Sequence, residues 1–220
     1  MIFFDTETTG LSTTNGDKIV EIGCIEMIDN IVTDEYFHQY INPERHIPEE
    51  VVKIHGITNE KVKDSPKFRE IANDFLKFID GATLIAHNAS FDIRFLNHEL
   101  ELCGLPIINN IVEDTLKIAR VKYPGSPASL DALCRKFNVD LSDRSLHGAL
   151  LDSKLLALVY RKMVLNDQSL ISFNKELQKK ASNNLLKNIK TTKLSRNIGN
   201  PTDEDLLLYQ EFLLQNNLSE

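Results

Sequence analysis

The sequence predicts an α/β protein in which helices flank a mixed sheet. Apolar, β-branched segments dominate the first 41 residues, whereas the rest alternates between segments of helical periodicity and short apolar runs. Strands followed by alternating helices and strands favour a mixed sheet packed against helices. With 42% hydrophobic residues in a chain of 220, the sequence can also bury a substantial core.

Three strands are predicted in the N-terminal part, arranged as an antiparallel meander. The first is the apolar run 2–4, which leads into Asp5, and the second covers 18–27, which is rich in isoleucine. Residues 31–41 alternate less cleanly and form the third. β-Branched residues suit the pleated, half-buried surface of a sheet, so these segments fit strands better than helices.

Four helices are predicted in the following part, at Pro66 to Gly81, 91–102, 130–137 and 149–164. One short strand is predicted at 83–86, between the first two helices. In the first of these helices, Phe68, Ile71 and Phe75 recur at helical spacing. The helix over 91–102 has Ser90 or Asn88 as its N-cap, because both side chains can accept a hydrogen bond from the first turn.

Composition excludes several classes of protein. No apolar run reaches the roughly 18 residues of a membrane span, and the N-terminus lacks the basic flank and cleavage site of a signal peptide. We therefore expect a cytoplasmic protein that does not enter a membrane. Cys24, Cys103 and Cys134 are odd in number and far apart, which predicts buried thiols rather than disulfides or a zinc site.

Charge is distributed unevenly along the chain. The formal net charge of −7 argues against binding of nucleic acid through a broad cationic surface, but not against an enzyme that grips one chain end through metal ions. Residues 175–196 carry seven basic side chains and one acidic one, whereas the segment after Pro201 is acidic. Such blocks predict a solvated linker and a flexible C-terminal tail.

Three short clusters, Asp5–Gly10, His87–Asp92 and His147–Asp152, carry the residues from which function is predicted. Together they supply one imidazole and four carboxylates, namely His147, Asp5, Glu7, Asp92 and Asp152. Hard divalent cations prefer oxygen ligands, and a neutral imidazole can accept a proton from an attacking water. The set therefore predicts a two-metal site for phosphodiester hydrolysis.

Local geometry permits these clusters to converge without requiring it. Residues two apart on a strand share a face, so Asp5 and Glu7 point the same way. Asp92 falls in the first turn of its helix. His147 and Asp152 are five apart and meet only if His147 precedes the last helix. Taken singly, each cluster is more typical of a solvated turn, a helix cap or a surface pair, but their joint occurrence favours a site.

The clusters resemble the Exo I, Exo II and Exo III motifs of the DEDD exonucleases, in the subclass whose fifth residue is histidine. The similarity extends through Ile54–Ile57 and Ser129–Cys134 to the proofreading subunits of bacterial DNA polymerase III, over most of the chain. The resemblance implies a ribonuclease H-like fold with a mixed five-stranded sheet. It also implies a 3′–5′ exodeoxyribonuclease that proofreads replication and releases 5′-mononucleotides.

The resemblance implies a role for each of the five residues. Asp5, Glu7 and Asp152 would hold one divalent cation, Mg²⁺ or Mn²⁺, and Asp5 would bridge to a second. Asp92 would act on the cations directly or through water, and His147 would be the general base. The acids Asp5, Glu7 and Asp152 would thereby also contact the substrate.

Other residues would hold the terminal nucleotide. Relatives use an acid and a histidine after the third strand, which match Glu50 and His55. An exposed acid at a helix start and a buried turn histidine are equally compatible with these positions. Further candidates, which could contact the sugar, the base or a phosphate, are Thr8, Gly10, Leu11 and Asn88.

The C-terminal part predicts binding partners. Residues 168–173 resemble a peptide that binds the sliding clamp through Gln168, Leu170, Ile171 and Phe173. The alternative is that Leu170 and Phe173 only extend the preceding helix onto the core. In either case the basic stretch that follows fits a flexible tether.

Three parts are therefore predicted: a catalytic domain at 1–165, the clamp-binding peptide and basic linker at 166–200, and a docking segment at 201–220. By resemblance, the docking segment binds the DNA polymerase III alpha subunit. Some relatives also bind a small stabilising subunit, and the sequence leaves that partner open.

Two other functions stay open. A stand-alone 3′–5′ exoribonuclease that trims RNA ends would share the site, but such an enzyme has no use for a docking tail. A catalytically silent nucleic-acid-binding or scaffolding protein would need a defect in the site, although all five residues are present.

Overall fold

A computed structural model describes residues 1–142 and 146–165, except for the side chain of Leu165. These residues form a mixed five-stranded sheet with helices packed against it, which confirms the predicted fold class. The clamp-binding residues predicted at 168–173, the basic linker and the docking segment lie outside the described residues.

The strands are β1 (Ile2–Thr8), β2 (Ile19–Ile28), β3 (Ile31–Tyr40), β4 (Leu84–Ala86) and β5 (Val112–Asp114). Their order in the sheet is β3-β2-β1-β4-β5. The first three pair antiparallel, as the predicted meander does, whereas β4 is parallel to β1 and β5 is parallel to β4. β1 continues beyond its apolar run because pairing with β2 extends to Thr8. β5 was not predicted because it has only three residues and Val112 is exposed.

The helices of the described residues are α1 (Glu49–His55), α2 (Asn59–Val62), α3 (Phe68–Ile79), α4 (Ala89–Leu102), α5 (Thr115–Lys122), α6 (Leu130–Lys136) and α7 (Ala149–Tyr160). A 3₁₀ turn at Thr13–Asn15 precedes β2, and a π-helical turn at Arg161–Leu165 continues α7. The four predicted helices correspond to α3, α4, α6 and α7. α4 begins two residues earlier than predicted. Its N-cap is Asn88, one of the two predicted residues, but the Asn88 side chain accepts no hydrogen bond from the first turn.

Side chains of β1 alternate between two cores on opposite faces of the sheet. Phe4 joins the core that α3 and α4 cover, whereas Phe3 packs edge-to-face against Tyr160 of α7 with ring centroids 5.3 Å apart. Both phenylalanines are fully buried. Residues at odd positions of β1 therefore face α7, and residues at even positions face α4.

Gly23 of β2 allows α7 to approach the sheet closely. A Cβ atom at this position would overlap the backbone of Ala149 and Leu150. Ser153 of α7 also donates a hydrogen bond from Oγ to the carbonyl oxygen of Gly23, at 2.8 Å. Since Gly23 is the register partner of Asp5, the first turn of α7 is fixed beside the carboxyl end of β1.

All three cysteines are free thiols. Cys24 and Cys134 are buried, as predicted, whereas Cys103 is only half-buried. Among the described residues, no helix combines the length and the apolar character needed to cross a membrane.

Candidate metal-dependent active site

Asp5 and Glu7 lie near the carboxyl end of β1. They occupy odd positions of the strand and therefore share the face that α7 covers, as the two-residue spacing predicts. Both side chains are half-buried. A β-bulge directly after Glu7 ends the regular pairing with β2, so the chain turns away from the sheet just past the two acids.

Asp92 is delivered from the opposite face of β1. It lies in the first turn of α4 and is only 3% exposed. Its Oδ1 accepts hydrogen bonds from Thr6 N at 3.0 Å and from Thr6 Oγ1 at 2.7 Å. Burial raises the pKa of Asp92 to about 7, and the hydrogen bonds from Thr6 oppose that rise. Thr6 therefore holds the Asp92 carboxylate beside the strand that carries the other two acids.

His147 and Asp152 meet at the start of α7. His147 lies before the helix, and Asp152 lies in its first turn, which satisfies the condition set by their five-residue spacing. Nδ1 of His147 is 3.2 Å from Oδ2 of Asp152. Asp152 is only 4% exposed, whereas His147 is exposed to solvent. The backbone N–H of His147 donates to the Ile54 carbonyl at 3.2 Å, which ties the loop to α1.

The three segments converge on one group of potential metal ligands. One ligand atom each from Glu7, His147 and Asp152 lies within 4.8 Å of the others. The pKa of Asp5 is raised well above its ordinary value, first by burial and then by the charges of Asp92, Glu7 and Asp152. Acids that repel one another in this way suit a divalent cation, because a cation offsets the repulsion and takes oxygen ligands. The donor set therefore fits a Mg²⁺ or Mn²⁺ centre chemically.

A cavity of about 580 Å³ opens at this group. Its lining residues are Asp5, His87, Leu116, Arg120, Ser129, Leu130, Asp131, His147 and Asp152. One wall carries three of the five predicted chemical residues, and the facing wall comes from α5 and from the start of α6. A substrate in this cavity would therefore touch both walls.

The two residues predicted to hold the terminal nucleotide differ in environment. Glu50 is exposed in the first turn of α1. His55 ends the same helix and is only 5% exposed; its Nδ1 accepts a hydrogen bond from Ile57 N at 2.9 Å. Within residues 1–142 and 146–165, no atom meets the geometric criteria for a hydrogen bond with its buried Nε2. Desolvation lowers the pKa of His55, while the backbone of Thr8 and the charge of Glu21 act in the opposite direction.

The predicted contacts at 8–11 form a turn that projects from the end of β1. Thr8 Oγ1 donates to the Gly10 carbonyl at 2.6 Å, so its hydroxyl shapes the turn. A Cβ at Gly10 would overlap the carboxylate of Asp17. Leu11 is 79% exposed at the tip of the turn. Asn88 lies at the start of α4 with φ of 71°, and its backbone N–H donates to Asp114 at 3.2 Å.

Glu21 is a structural contributor that the sequence reasoning missed. This carboxylate of β2 is only 3% exposed, and its Oε2 accepts a hydrogen bond from Ala149 N at 3.0 Å. Its Oε1 is 2.7 Å from Nε2 of His38. Ala149 is the first residue of α7, and its N-cap Gly148 has no side chain to serve as the acceptor. The signal was available, since a glutamate within an apolar strand is costly to bury unless it has a partner.

Comparisons with known proteins agree on one family. The exonuclease family RNase_T matches residues 2–160. "DNA polymerase III subunit epsilon" of Rickettsia typhi is 50% identical in an alignment that covers 96% of this chain and 94% of that protein. The protein of the same name from Buchnera aphidicola subsp. Acyrthosiphon pisum is 42% identical over 96% of this chain and 92% of its own length.

Solved structures give the same fold. Exonuclease X in complex with 5′ overhanging duplex DNA superposes with a TM-score of 0.59 at 29% identity, over 75% of this chain and 91% of that one. The zinc-bound E. coli ExoI–ssDNA complex superposes with a TM-score of 0.67 at 18% identity, over 76% of this chain and 41% of that one, and supports the fold alone. The chain therefore belongs to the exonuclease family, and within that family to the bacterial DNA polymerase III epsilon subunits.

Proposed function

We propose that this chain is a proofreading 3′–5′ exodeoxyribonuclease that uses two divalent cations, Mg²⁺ or Mn²⁺, to release 5′-mononucleotides from a DNA 3′ end. The observation that carries the proposal is the convergence of Glu7, His147 and Asp152 within 4.8 Å, beside Asp5 and Asp92. The high identity to polymerase subunits named epsilon supports DNA as the substrate. None of the relatives described above favours the RNA-trimming alternative.

Asp5, Glu7 and Asp152 are the residues proposed to hold one cation, with Asp5 shared between two cations and Asp92 acting on the second directly or through water. When bound, divalent cations stabilise the charge that develops on the scissile phosphate and activate the attacking water. The hydrogen bonds from Thr6 to Asp92 support this role. Both reach Oδ1, so they fix the carboxylate without using Oδ2.

His147 is the proposed proton acceptor. Its Nδ1 contact with buried Asp152 orients the ring, and its exposed position gives the ring access to the cavity and to water. An imidazole can take a proton from the attacking water near neutral pH and return it to solvent. The loop on which it lies is tied to α1 through Ile54, so the ring is positioned without being buried.

The terminal nucleotide is proposed to bind on the α1 side of the site. Leu11 offers an exposed apolar surface for the base. His55, at the end of α1, is the proposed contact for a polar group of the sugar. Glu50 and Asn88 remain proposed contacts for the terminal hydroxyl and a phosphate.

Assembly into the replisome is proposed for the C-terminal part. Residues 168–173 would bind the sliding clamp, 174–200 would act as a tether, and 201–220 would bind the polymerase III alpha subunit. These roles rest on the sequence and on the names of the relatives, of which the Rickettsia typhi protein matches over 96% of this chain. A small stabilising subunit on the catalytic domain is a further candidate partner.

The experiment that tests the proposed function compares two substrates, a DNA primer–template with a 3′ mismatch and a single-stranded RNA of the same sequence. Each is incubated with the full chain in Mg²⁺, in Mn²⁺ and in EDTA, and released mononucleotides are counted. We expect metal-dependent release that is faster from the mismatched DNA. Faster release from the RNA would support the trimming enzyme instead, and no release from either would contradict an active site here.

A further inference from the structure

The wall of the active-site cavity formed by α5 and α6 has no role in the chemistry described so far. Leu116 and Arg120 come from α5, and Ser129, Leu130 and Asp131 come from the start of α6. The residues proposed to hold the terminal nucleotide, at positions 8–11, 50 and 55, do not line this cavity. The site therefore continues past the catalytic acids on the side away from the terminal nucleotide.

Arg120 is the cation of this wall, and its guanidinium makes no hydrogen bond or ion pair among the described residues. Its neighbours on α5 are engaged: Lys117 lies 3.7 Å from Asp114, and Lys122 donates to the Met163 carbonyl at 2.8 Å. The charge of Arg120 also helps to lower the pKa of His87, which places the guanidinium near a second residue of the cavity lining.

Polymer geometry indicates what this cation would meet. A strand whose scissile phosphate lies at Asp5 and Asp152 has its terminal nucleoside on one side, so the remainder of the strand must leave on the other. Arginine suits a phosphodiester because its planar donors can bind two phosphate oxygens at once. In a protein of net charge −7, a guanidinium that lies beside the catalytic acids and has no partner in the described part of the chain is a specific feature rather than part of a general cationic surface.

We propose that Arg120 binds the phosphodiester on the 5′ side of the scissile bond, which makes the α5–α6 wall the subsite for the penultimate nucleotide. Leu116 and Leu130 add apolar surface for its sugar and base. Asp131, the acid on this wall, lies 3.9 Å from Arg135, and this pairing offsets its repulsion of a phosphate. The inference rests on the proposed nuclease function, since it assigns the path of that enzyme's substrate.

The test uses two substrates that differ in the contacted group. The p-nitrophenyl ester of thymidine 5′-monophosphate has a single phosphate and no upstream nucleotide, whereas a single-stranded deoxyoligonucleotide has both. Arg120→Gln should lower kcat/KM for the oligonucleotide about tenfold more than for the ester, mainly through KM. The dependence of oligonucleotide binding on salt should also weaken by about one phosphate contact. Lys117→Gln removes a charge from the same helix and should change neither the ratio of the two kcat/KM values nor the dependence of binding on salt. Arg120→Lys should recover part of the loss.

A methylphosphonate at the second phosphate from the 3′ end removes the proposed partner charge. It should slow the wild-type chain and have little further effect on Arg120→Gln. Equal losses on both substrates, no loss on the oligonucleotide, or fully additive effects of the variant and the methylphosphonate would each overturn the subsite. Failure of the wild-type chain to hydrolyse either substrate with Mg²⁺ or Mn²⁺ would instead overturn the nuclease function on which the subsite depends.

Discussion

The candidate site has an inner side and an outer rim, which differ in how their residues are held. On the inner side, Asp92, Asp152 and Glu21 are at most 4% exposed, and each carboxylate has a partner within 3.2 Å. On the outer rim, His147 and Leu11 are exposed on loops. The difference teaches that packing and hydrogen bonding fix the charges, whereas the groups that must meet water and substrate stay accessible.

Asp5 lies between the inner side and the rim, and its replacement should have the largest effect. Asp5→Asn removes a proposed ligand of both cations, so hydrolysis of a mismatched primer should fall about 10³-fold. The fold should remain intact, because the change also removes a charge that Asp92, Glu7 and Asp152 repel. Hydrolysis rates and thermal melting check both parts. The exposed Asp74→Asn is the matched control, and near-normal activity of Asp5→Asn would refute the assignment.

The rim residue His147 should come next. His147→Gln removes the proposed proton acceptor, so kcat should fall about 10²-fold. Melting temperature should change little, because His147 is exposed. The exposed His46→Gln provides the control for loss of a surface histidine. A rise in KM with unchanged kcat would place His147 in substrate binding instead of proton transfer.

Glu21 tests whether the inner side positions the rim. Glu21→Leu leaves the Ala149 N–H without its acceptor, which should cost about 1–3 kcal/mol of stability and lower kcat about tenfold by displacing the start of α7. Glu21→Gln keeps an oxygen acceptor and should recover most of kcat. Denaturant unfolding and steady-state kinetics separate the two effects. Equal kcat losses in both variants would argue against a positioning role.

The inner carboxylates should also make stability depend on pH when no divalent cation is present. The pKa of Asp92 is about 7 in the folded chain, above the unfolded value of 3.8, so the folded state binds the extra proton. This group therefore contributes less stability as pH rises from about 4 to about 7.

The comparison of wild type with Asp92→Asn in EDTA isolates this effect. The free energy of unfolding of the wild-type chain, relative to that of the variant, should fall as pH rises from about 4 to about 7. Saturating Mn²⁺ should reverse that shift, because a bound cation favours the ionised carboxylates. A difference that does not change with pH would show that Asp92 ionises normally in the folded chain.

The sequence predicted the orientation of several site residues because that orientation depends on short-range periodicity. The two-residue spacing of Asp5 and Glu7 fixes their common face once the strand is known, and the first turn of a helix fixes where Asp92 starts. α3 followed from apolar residues at helical spacing, and the second strand followed from its richness in β-branched residues. β5 and α2 escaped prediction because three and four residues are too few for a periodic pattern. α1 and α5 escaped because their buried residues are His55, Thr115 and Ala119, so no large apolar side chains mark a helical face.

By itself, then, the sequence determined the fold class, the five residues proposed for the chemistry and their order along the chain. Tertiary structure decided which partners hold them. Thr6 and Asp92 are 86 residues apart, and Glu21 and Ala149 are 128 apart. The same holds for Arg120, which lines the cavity with Asp5. No local pattern encodes such pairs, because they exist only after packing has brought α4, α5 and α7 against the sheet and has made an unpaired polar group costly to bury.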